Sequence, residues 1–414
     1  MDDSPAPRLT VPALRFRDGG GLLYSTLARL VASDAAASRA ELVTAAGLAR
    51  STVTRHLDAL IEAGVITEGG PVRRGTRGRP AARLALNPRA GLVASADVGA
   101  RDARVAVLDL GQDLLAETTV ALDLESGPDA VLGRLADTVR ELLDRAAERT
   151  AAARLCALAV GLPGPVDHAA GTPVRPPIMP GWDGHPVGRD LSARLGCAVL
   201  VDNDVNLMAL GEARTLPAGQ TPLLFLKVGT GIGGGLVSAG GELHRGADGA
   251  AGDIGHMPAP GAEGVACRCG KTGCVEAVAS TAAMLDRLRQ DGAVQDADGL
   301  AGTGDLVRLV RHGDAAALRV VRAAAERIGE VAALLVHVYN PARLAIGGAL
   351  AAAGDELIAG VRAVVYRRAL PLATRHLELA PSELGKRAGY VGGGVLAVEQ
   401  VLSPDGITGL MGPG

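Results

Sequence analysis

His256, Cys267, Cys269 and Cys274 place one imidazole and three thiols in the order His-x10-Cys-x-Cys-x4-Cys. That donor set suits a closed tetrahedral Zn2+ site with no open position for an activated water. The predicted role of the metal is therefore structural, one ion per chain. Three free cysteines packed together without metal are the alternative. Cys156 and Cys197 lie in apolar, strand-like stretches and read as buried filler. Residues 1–20 lack the apolar run of a secretion signal, so clustered thiols point to metal ligation in a cytoplasmic protein rather than to disulfides. No stretch approaches the roughly 18 uninterrupted apolar residues of a membrane span, which excludes membrane-spanning functions.

A second chemistry is cationic. Residues 1–90 hold 13 arginines and eight acids, whereas the remaining chain has 29 basic and 37 acidic residues. A basic module attached to an acidic body is expected. Arg73, Arg74, Arg77, Arg79 and Arg83 fall within 71–83 with no acid among them. The elements needed to present these charges can be read nearby. Apolar spacing at Leu23, Leu27, Leu30 and Val31 predicts a helix over 22–32. Ser38-Arg39-Ala40-Glu41 fits a capping box opening a second helix to Ala46, and Gly47 supplies the turn. A third helix is predicted over 50–63, with Val53, Leu57, Leu60 and Ile61 on one face and Gly64 as its stop. Residues 65–67 and 83–86 would be wing strands. This is the pattern of a winged helix-turn-helix that binds double-stranded operator DNA. Ser51, Thr52, Thr54, Arg55 and His56 would meet base edges and phosphates in a major groove, and Arg77 and Arg79 a minor groove. A small helical adaptor with a charged loop is the alternative.

The body must be packed differently from most. Hydrophobic residues make up 48% of the chain, yet Phe, Trp and Tyr total seven, so Ala, Val and Leu must fill the core. The 57 glycines imply many tight turns or close backbone approaches, as in a ligand-handling α/β protein. Strands are predicted over 92–98, 104–109 and 118–122, then a helix over 129–150 and a strand over 155–160. Long helices are expected over 315–339 and 392–402.

The order of the remaining motifs carries a family resemblance. Gly161-Leu162-Pro163-Gly164-Pro165-Val166-Asp167 is followed by Pro180-Gly181-Trp182 and Val201-Asp202-Asn203-Asp204-Val205-Asn206. Then come Val228-Gly229-Thr230-Gly231-Ile232-Gly233-Gly234-Gly235, Gly252-Asp253-Ile254-Gly255-His256, the cysteine cluster ending at Glu276, and Ile346-Gly347-Gly348. This series resembles the ROK family of repressors, open reading frames and sugar kinases, over nearly the whole chain. The resemblance implies a two-lobed, actin-like (ribonuclease-H-type) sugar-kinase fold behind the DNA-binding domain. The expected division is a tail to residue 20, the winged domain over 21–88, lobe 1 over 89–204, lobe 2 with the zinc site over 205–390, and a helix returning to lobe 1, with a tail, over 391–414.

The resemblance further implies that Asn203, Asp204, His256 and Glu276 bind sugar hydroxyls, with zinc holding His256 in place. Asp253 stands where the family has a glutamate, one methylene longer. Asp204 matches the general base of the family's kinases. Their phosphate hairpin reads Asp-x-Gly-Gly-Thr, and this chain has Asp97-Val98-Gly99-Ala100-Arg101 instead. Phosphate approach is compromised there, so Asp97, Gly99, Gly229, Thr230, Gly231, Gly347 and Gly348 are a vestigial nucleotide site and Asp204 a vestigial base. The expected function is a DNA-binding regulator, a repressor of carbohydrate-related genes, that senses a sugar or phosphosugar as a homodimer or homotetramer. A working hexose kinase with an appended DNA-binding domain is the alternative.

Overall fold

The computed structural model describes residues 7–10, 20–71, 82–150, 154–217, 219–292, 300, 302–352 and 354–412. Its first module consists of α1 (Gly20–Ala32), α2 (Arg39–Ala46), α3 (Arg50–Glu62), β1 (Ile66–Pro71) and β2 (Ala82–Leu86). Ser38 caps α2 by accepting from the Glu41 N–H at 3.3 Å, and Glu41 reaches back to the Ala37 N–H at 2.8 Å. Gly47 ends α2 in the left-handed region at φ 65°. The strands pair antiparallel, Ile66 opposite Leu86, as a winged helix-turn-helix requires. Leu27, Leu42, Leu57, Leu60, Ile66 and Leu84 close its core. Arg73, Arg74, Arg77 and Arg79 lie outside the described residues.

Lobe 1 is a five-stranded sheet of β3 (Leu92–Val98), β4 (Asp102–Asp109), β5 (Leu114–Ala121), β6 (Leu155–Leu162) and β9 (Ala198–Asn203), ordered β5-β4-β3-β6-β9. The first three strands form an antiparallel meander, and β6 and β9 run parallel to β3. Helix α4 (Pro128–Ala147), the short hairpin β7–β8 (Val166–Asp167, Thr172–Pro173) and α5 (Val187–Leu195) complete this lobe. The meander is longer than its apolar pattern suggests. β5 starts four residues before the predicted strand because Leu114 pairs with Leu108 despite a bulge between Val107 and Leu108.

Helix α6 (Asp204–Thr215) leads into lobe 2, a sheet ordered β11-β10-β12-β13. Its strands are β10 (Leu223–Val228), β11 (Ile232–Val237), β12 (Arg343–Gly347) and β13 (Glu378–Pro381). Packed on this sheet and on one another are α7 (Val275–Ala279), α8 (Thr281–Gln290), α9 (Thr303–Arg311), α10 (Ala315–Tyr339), α11 (Glu356–Arg368) and α12 (Pro371–Thr374). The chain then returns through α13 (Ala388–Val401), which packs on β3, β6 and α6. α13 begins four residues before the predicted helix.

Where sequence reading expects a tail, the structure has α14 (Pro404–Met411). Ser403 caps it by accepting from Gly406 N–H at 3.1 Å, and Pro404 occupies its first turn. α14 lies against α1, and the Ser25 hydroxyl donates to the Leu402 carbonyl at 2.6 Å. The DNA-binding module is thereby fastened to the end of the body.

The glycine run in α13 is a poor helix former in isolation, and its use here is close approach. A Cβ at Gly392 would stand 1.8 Å from the Leu207 carbonyl oxygen of α6, and one at Gly393 2.0 Å from Ser95 Oγ of β3. Gly392→Ala is expected to force the helices apart and to destabilise the protein by about 1–3 kcal/mol, read as a lower denaturant midpoint. An unchanged midpoint would mean that α6 and α13 separate without cost.

Candidate sugar and metal sites and the DNA-facing helix

On α3, Ser51, Thr54 and Arg55 are exposed and line a shallow concavity with Arg50, Asp58, Ala59 and Glu62. Thr52 is half-buried. His56 is placed otherwise than expected: it is buried, donates from Nδ1 to the Thr52 carbonyl at 2.8 Å, and packs on Tyr24 with ring centroids 5.1 Å apart. Helical spacing puts it on the inward stripe with Val53, Leu57 and Leu60, so it supports α1 instead of reaching a groove. Arg50 takes its place on the exposed face. It lies four residues before Thr54, a helical spacing that would have flagged it. Arg39 pairs with two acids on this side, bonding Asp58 at 2.8 Å and Glu68 at 2.8 and 2.9 Å.

Asn203 and Asp204 sit where β9 runs into α6. Asn203 is the N-cap: its Oδ1 accepts from Val205 N–H at 2.9 Å and Asn206 N–H at 3.3 Å, and its Nδ2 donates to the Gly164 carbonyl at 2.9 Å. The cap and the Gly161–Gly164 loop thus fix one another. Asp204 is buried; Oδ1 accepts from Val205 N–H at 2.8 Å and Oδ2 from the Lys227 ammonium. Asp202, just before them, accepts from Asn203 N–H and Asn206 Nδ2, both at 2.8 Å, and pairs with Arg245 at 2.7 Å. Sequence reading missed Lys227, Arg245 and the anchoring role of Asp202. The available signal was Lys227 as the one charge in the strand LLFLKV.

Glu276 approaches from the opposite side, from α7 directly after Cys274. Its Oε2 accepts from Ile232 N–H at 2.9 Å. One residue on, a Cβ at Gly233 would lie 2.7 Å from Val205 Cγ2, so Glu276 and the Asn203–Asp204 turn flank the start of β11. His256 and half-exposed Asp253 lie on the loop between β11 and α7, with Nε2 3.8 Å from Asp253 Oδ1.

Behind them the ligand atoms of His256, Cys267, Cys269 and Cys274 lie within 4.8 Å of one another, a group that could hold a metal ion. A bridge between Pro258 and Cys274 and a turn in which Cys267 N–H donates to the Lys271 carbonyl at 2.8 Å bring them together. Burial pushes the Cys274 thiol up to about 12, with the neighbouring thiols of Cys269 and Cys267 adding to it. A metal ion offsets this by binding the thiolate. Away from this group, Cys197 is buried as expected, while Cys156 is half-buried beneath Gly91.

The β3–β4 turn closes through Gly99 N–H to the Asp102 carbonyl at 2.7 Å. Gly229, Thr230 and Gly231 form the β10–β11 turn, with Gly229 N–H donating to the Gly231 carbonyl at 2.9 Å. Gly347 and Gly348 serve packing: their Cβ atoms would meet the Phe225 ring at 2.5 Å and the Val228 carbonyl at 2.0 Å. Asp97 ends β3 against the first turn of α13, where a Cβ at Gly389 would lie 2.1 Å from its Oδ2. Removal from water pushes its carboxyl up to about 6, with Lys227 and Arg104 opposing the shift and Asp204 and Asp102 adding to it.

Fold and sites together define a two-lobed, actin-like sugar-kinase body carrying a winged helix-turn-helix. The ROK family model matches residues 93–400, and a winged helix-turn-helix DNA-binding model matches 28–67. A glucokinase of Halalkalibacterium halodurans is 31% identical over 315 residues, 73% of this chain and 94% of that protein. A putative xylose repressor of a Caldicellulosiruptor species is 30% identical over 378 residues, 89% and 93% of the two chains. The crystal structure of a ROK family transcriptional regulator, a homologue of the E. coli Mlc protein, shares the fold with TM-score 0.78 at 24% identity, covering 95% of this chain and 98% of that one. The chain belongs to the ROK family.

The raised carboxyl of Asp97 has a defined pH signature. A folded-state value above the ordinary carboxylate range contributes stability that is complete below about 4 and lost as pH rises through about 6. The melting temperature of the wild type relative to Asp97→Asn is expected to fall across that window; a pH-independent difference would contradict the placement of Asp97.

Proposed function

We propose that this protein is a sugar-responsive transcriptional regulator, a repressor, whose kinase-fold body is the sensor. The observation that carries the reading is a bonded path from the candidate sugar site to the DNA-binding head. Asn203 and Asp204 open α6, and Arg214 lies in its last turn. The buried Arg214 donates to Glu399 of α13 at 3.0 Å and to the Arg8 carbonyl at 3.0 Å. Glu399 accepts from the Thr10 hydroxyl at 2.9 Å, and Thr10 in turn accepts from Arg29 of α1 at 2.8 Å. A sugar that shifts the start of α6 therefore pulls on a helix bonded to the head. The near full-length similarity to a putative xylose repressor supports the same reading.

The sugar, or phosphosugar, contacts Asn203, Asp204, Asp253, His256 and Glu276. Neutral or anionic, it meets carboxylate and amide groups suited to vicinal hydroxyls. Zn2+ fits the four soft donors. Two thiolates about 2.3 Å from a tetrahedral zinc stand roughly 3.7 Å apart, and a thiolate and an imidazole nitrogen roughly 3.5 Å apart; the Cys269–Cys274 and Cys267–His256 separations are both 3.7 Å. Bound zinc would hold His256 and the start of α7, and so keep Asp253 and Glu276 facing the sugar; the ion takes no part in chemistry. Ser51, Thr52, Thr54 and Arg55, with Arg50, face operator DNA; Arg77 and Arg79, outside the described residues, are assigned to the same partner. Closure of the lobes changes the separation of two heads in a homo-oligomer, which weakens binding to half-sites a fixed number of helical turns apart. Val338 and Leu372, 86% and 75% exposed on α10 and α12, support an interface there. No helix among the described residues is long and apolar enough to cross a membrane; a protein that binds operator DNA would work in the cytoplasm.

A second reading, an ATP-dependent hexose kinase, is favoured by the 31% identity to a glucokinase and by the presence of Asp204. Ala100 and Arg101 in the phosphate hairpin weigh against it. A coupled assay over a panel of hexoses is expected to give no turnover at ordinary kinase rates; such turnover would establish the kinase instead. For the sensor, Asp204→Ala is expected to abolish the sugar-dependent change in operator affinity measured by fluorescence anisotropy, and a retained response would reject this site. Arg55→Ala is expected to weaken operator binding and to reduce the slope of log K against log salt by about 1.

A further inference from the structure

The candidate sugar site contains a cation that a neutral sugar does not call for, and it is bonded to the carboxylate of Asp204. Lys227 projects from β10, in a chain with three lysines and 39 arginines. A lysine there supplies a compact point charge on a slim stem, where a planar guanidinium would demand more space. The stem passes the β10–β11 turn, its Cε 3.7 Å from where a Cβ of Gly229 would be. Its ammonium is bonded to Asp204 Oδ2. Burial works against that ammonium, yet the carboxylates of Asp204 and Asp97 outweigh it and hold the group above the ordinary lysine range. Lys227 belongs to lobe 2, Asp97 to lobe 1, and Asp204 to the helix between them.

Phosphoryl transfer requires a divalent cation near the phosphates, held by carboxylates, to neutralise charge on the transferring group. Asp97, beside the phosphate hairpin, and Asp204 are carboxylates at this centre, with Asp102 near enough to act on Asp97 and Lys227. One oxygen of Asp204 is committed to Val205 N–H and the other to an ammonium. The residues present therefore do not fit a Mg2+ ion: an ammonium already sits on Asp204 Oδ2 and offsets part of the carboxylate charge, and a hydroxyl that donates to Asp204 meets an oxygen whose basicity Lys227 lowers.

We propose that Lys227 is a built-in cation of the cleft, taking the electrostatic place of a divalent metal ion and fixing Asp204 as a hydrogen-bond acceptor instead of a proton acceptor. This deepens, and rests on, the sensor reading of the same pocket. The lysine is a positioning residue: it acts on the ligand through Asp204.

The test uses the full-length, zinc-saturated protein with Mn2+ alone as the probe and thermal unfolding as the readout, since an ion bound only by the native state raises the melting temperature. In Lys227→Met the two carboxylates lose their counter-charge, and about 5 mM MnCl2 is expected to raise the melting temperature by several degrees, about 4 °C. The wild type is expected to shift by less than about 1 °C, and Asp204→Asn in the Lys227→Met background to lose the gain. An equal shift in wild type and variant, or none in either, overturns the proposal. Should Lys227→Met fail to unfold cooperatively, Lys227→Gln provides the same comparison with a polar side chain of similar length. The readout involves neither sugar nor DNA. A missing sugar response at the operator therefore leaves the manganese result standing, and a failed manganese result leaves an operator response standing.

Discussion

Helices α6 and α13 touch backbone to backbone, and the two lobes, the candidate sugar site and the seat of the DNA-binding head all depend on that contact. On α6, a Cβ at Gly211 would lie 2.3 Å from the Ala388 carbonyl of α13, reciprocating the approach of Gly392 to Leu207. Interaxial spacing this small leaves little room for independent tilting of either helix. Neighbouring turns of α6 then face different partners. The buried carboxylate of Glu212 accepts from Ser382 Oγ and Glu383 N–H at 2.7 Å, in the segment after β13, while Arg214 binds Glu399 and the N-terminal segment. A displacement at the Asp204 end is thus shared by lobe 2 and the head through one stiff element.

The His256, Cys267, Cys269 and Cys274 group stands differently, because it lies on a loop and not on a helix. The chain from His256 to Cys274 has little regular structure, and its fold rests on turns such as Cys267 to Lys271 and on short bridges. Such a segment buries too little apolar surface to order itself. Four ligands drawn to one ion would set the direction in which α7 starts, and with it the Glu276 carboxylate against Ile232 N–H. Metal occupancy would in this way act on the position of Glu276.

Much of the architecture could be read from local chemistry. The caps at Ser38 and Gly47, the apolar stripe of α3, and the full span of α10 follow from rules that act within one or two turns. The cysteine spacing likewise foretold a compact donor group, since chain connectivity limits where residues 267, 269 and 274 can go. Failures cluster where tertiary packing overrides local preference. His56 is polar by type but falls on the buried stripe, where Tyr24 receives it. The early start of α13 depends on glycines that weaken a helix locally and are needed only because α6 and β3 lie so close. Lys227 stands out in sequence only as a lone charge in an apolar strand, because its partners, Asp97 and Asp204, are distant in sequence and meet it only after the lobes assemble. Helix α14 was overlooked although Ser403-Pro404 is a recognisable start signal, because its apolar face is short.

Helix α14 also bears on how proteins of this architecture can be recombined. The DNA-binding head does not rest on the body through a swivelling tether: α1 lies on α14, and Ser25 is hydrogen-bonded to the chain at Leu402. Helices α1 and α14 therefore form one joint. A hybrid regulator that takes its reader from one relative and its receptor from another inherits a mismatched seam unless the last dozen residues travel with the reader. Exchange of operator preference between such proteins is consequently a two-crossover event, one on either side of the receptor.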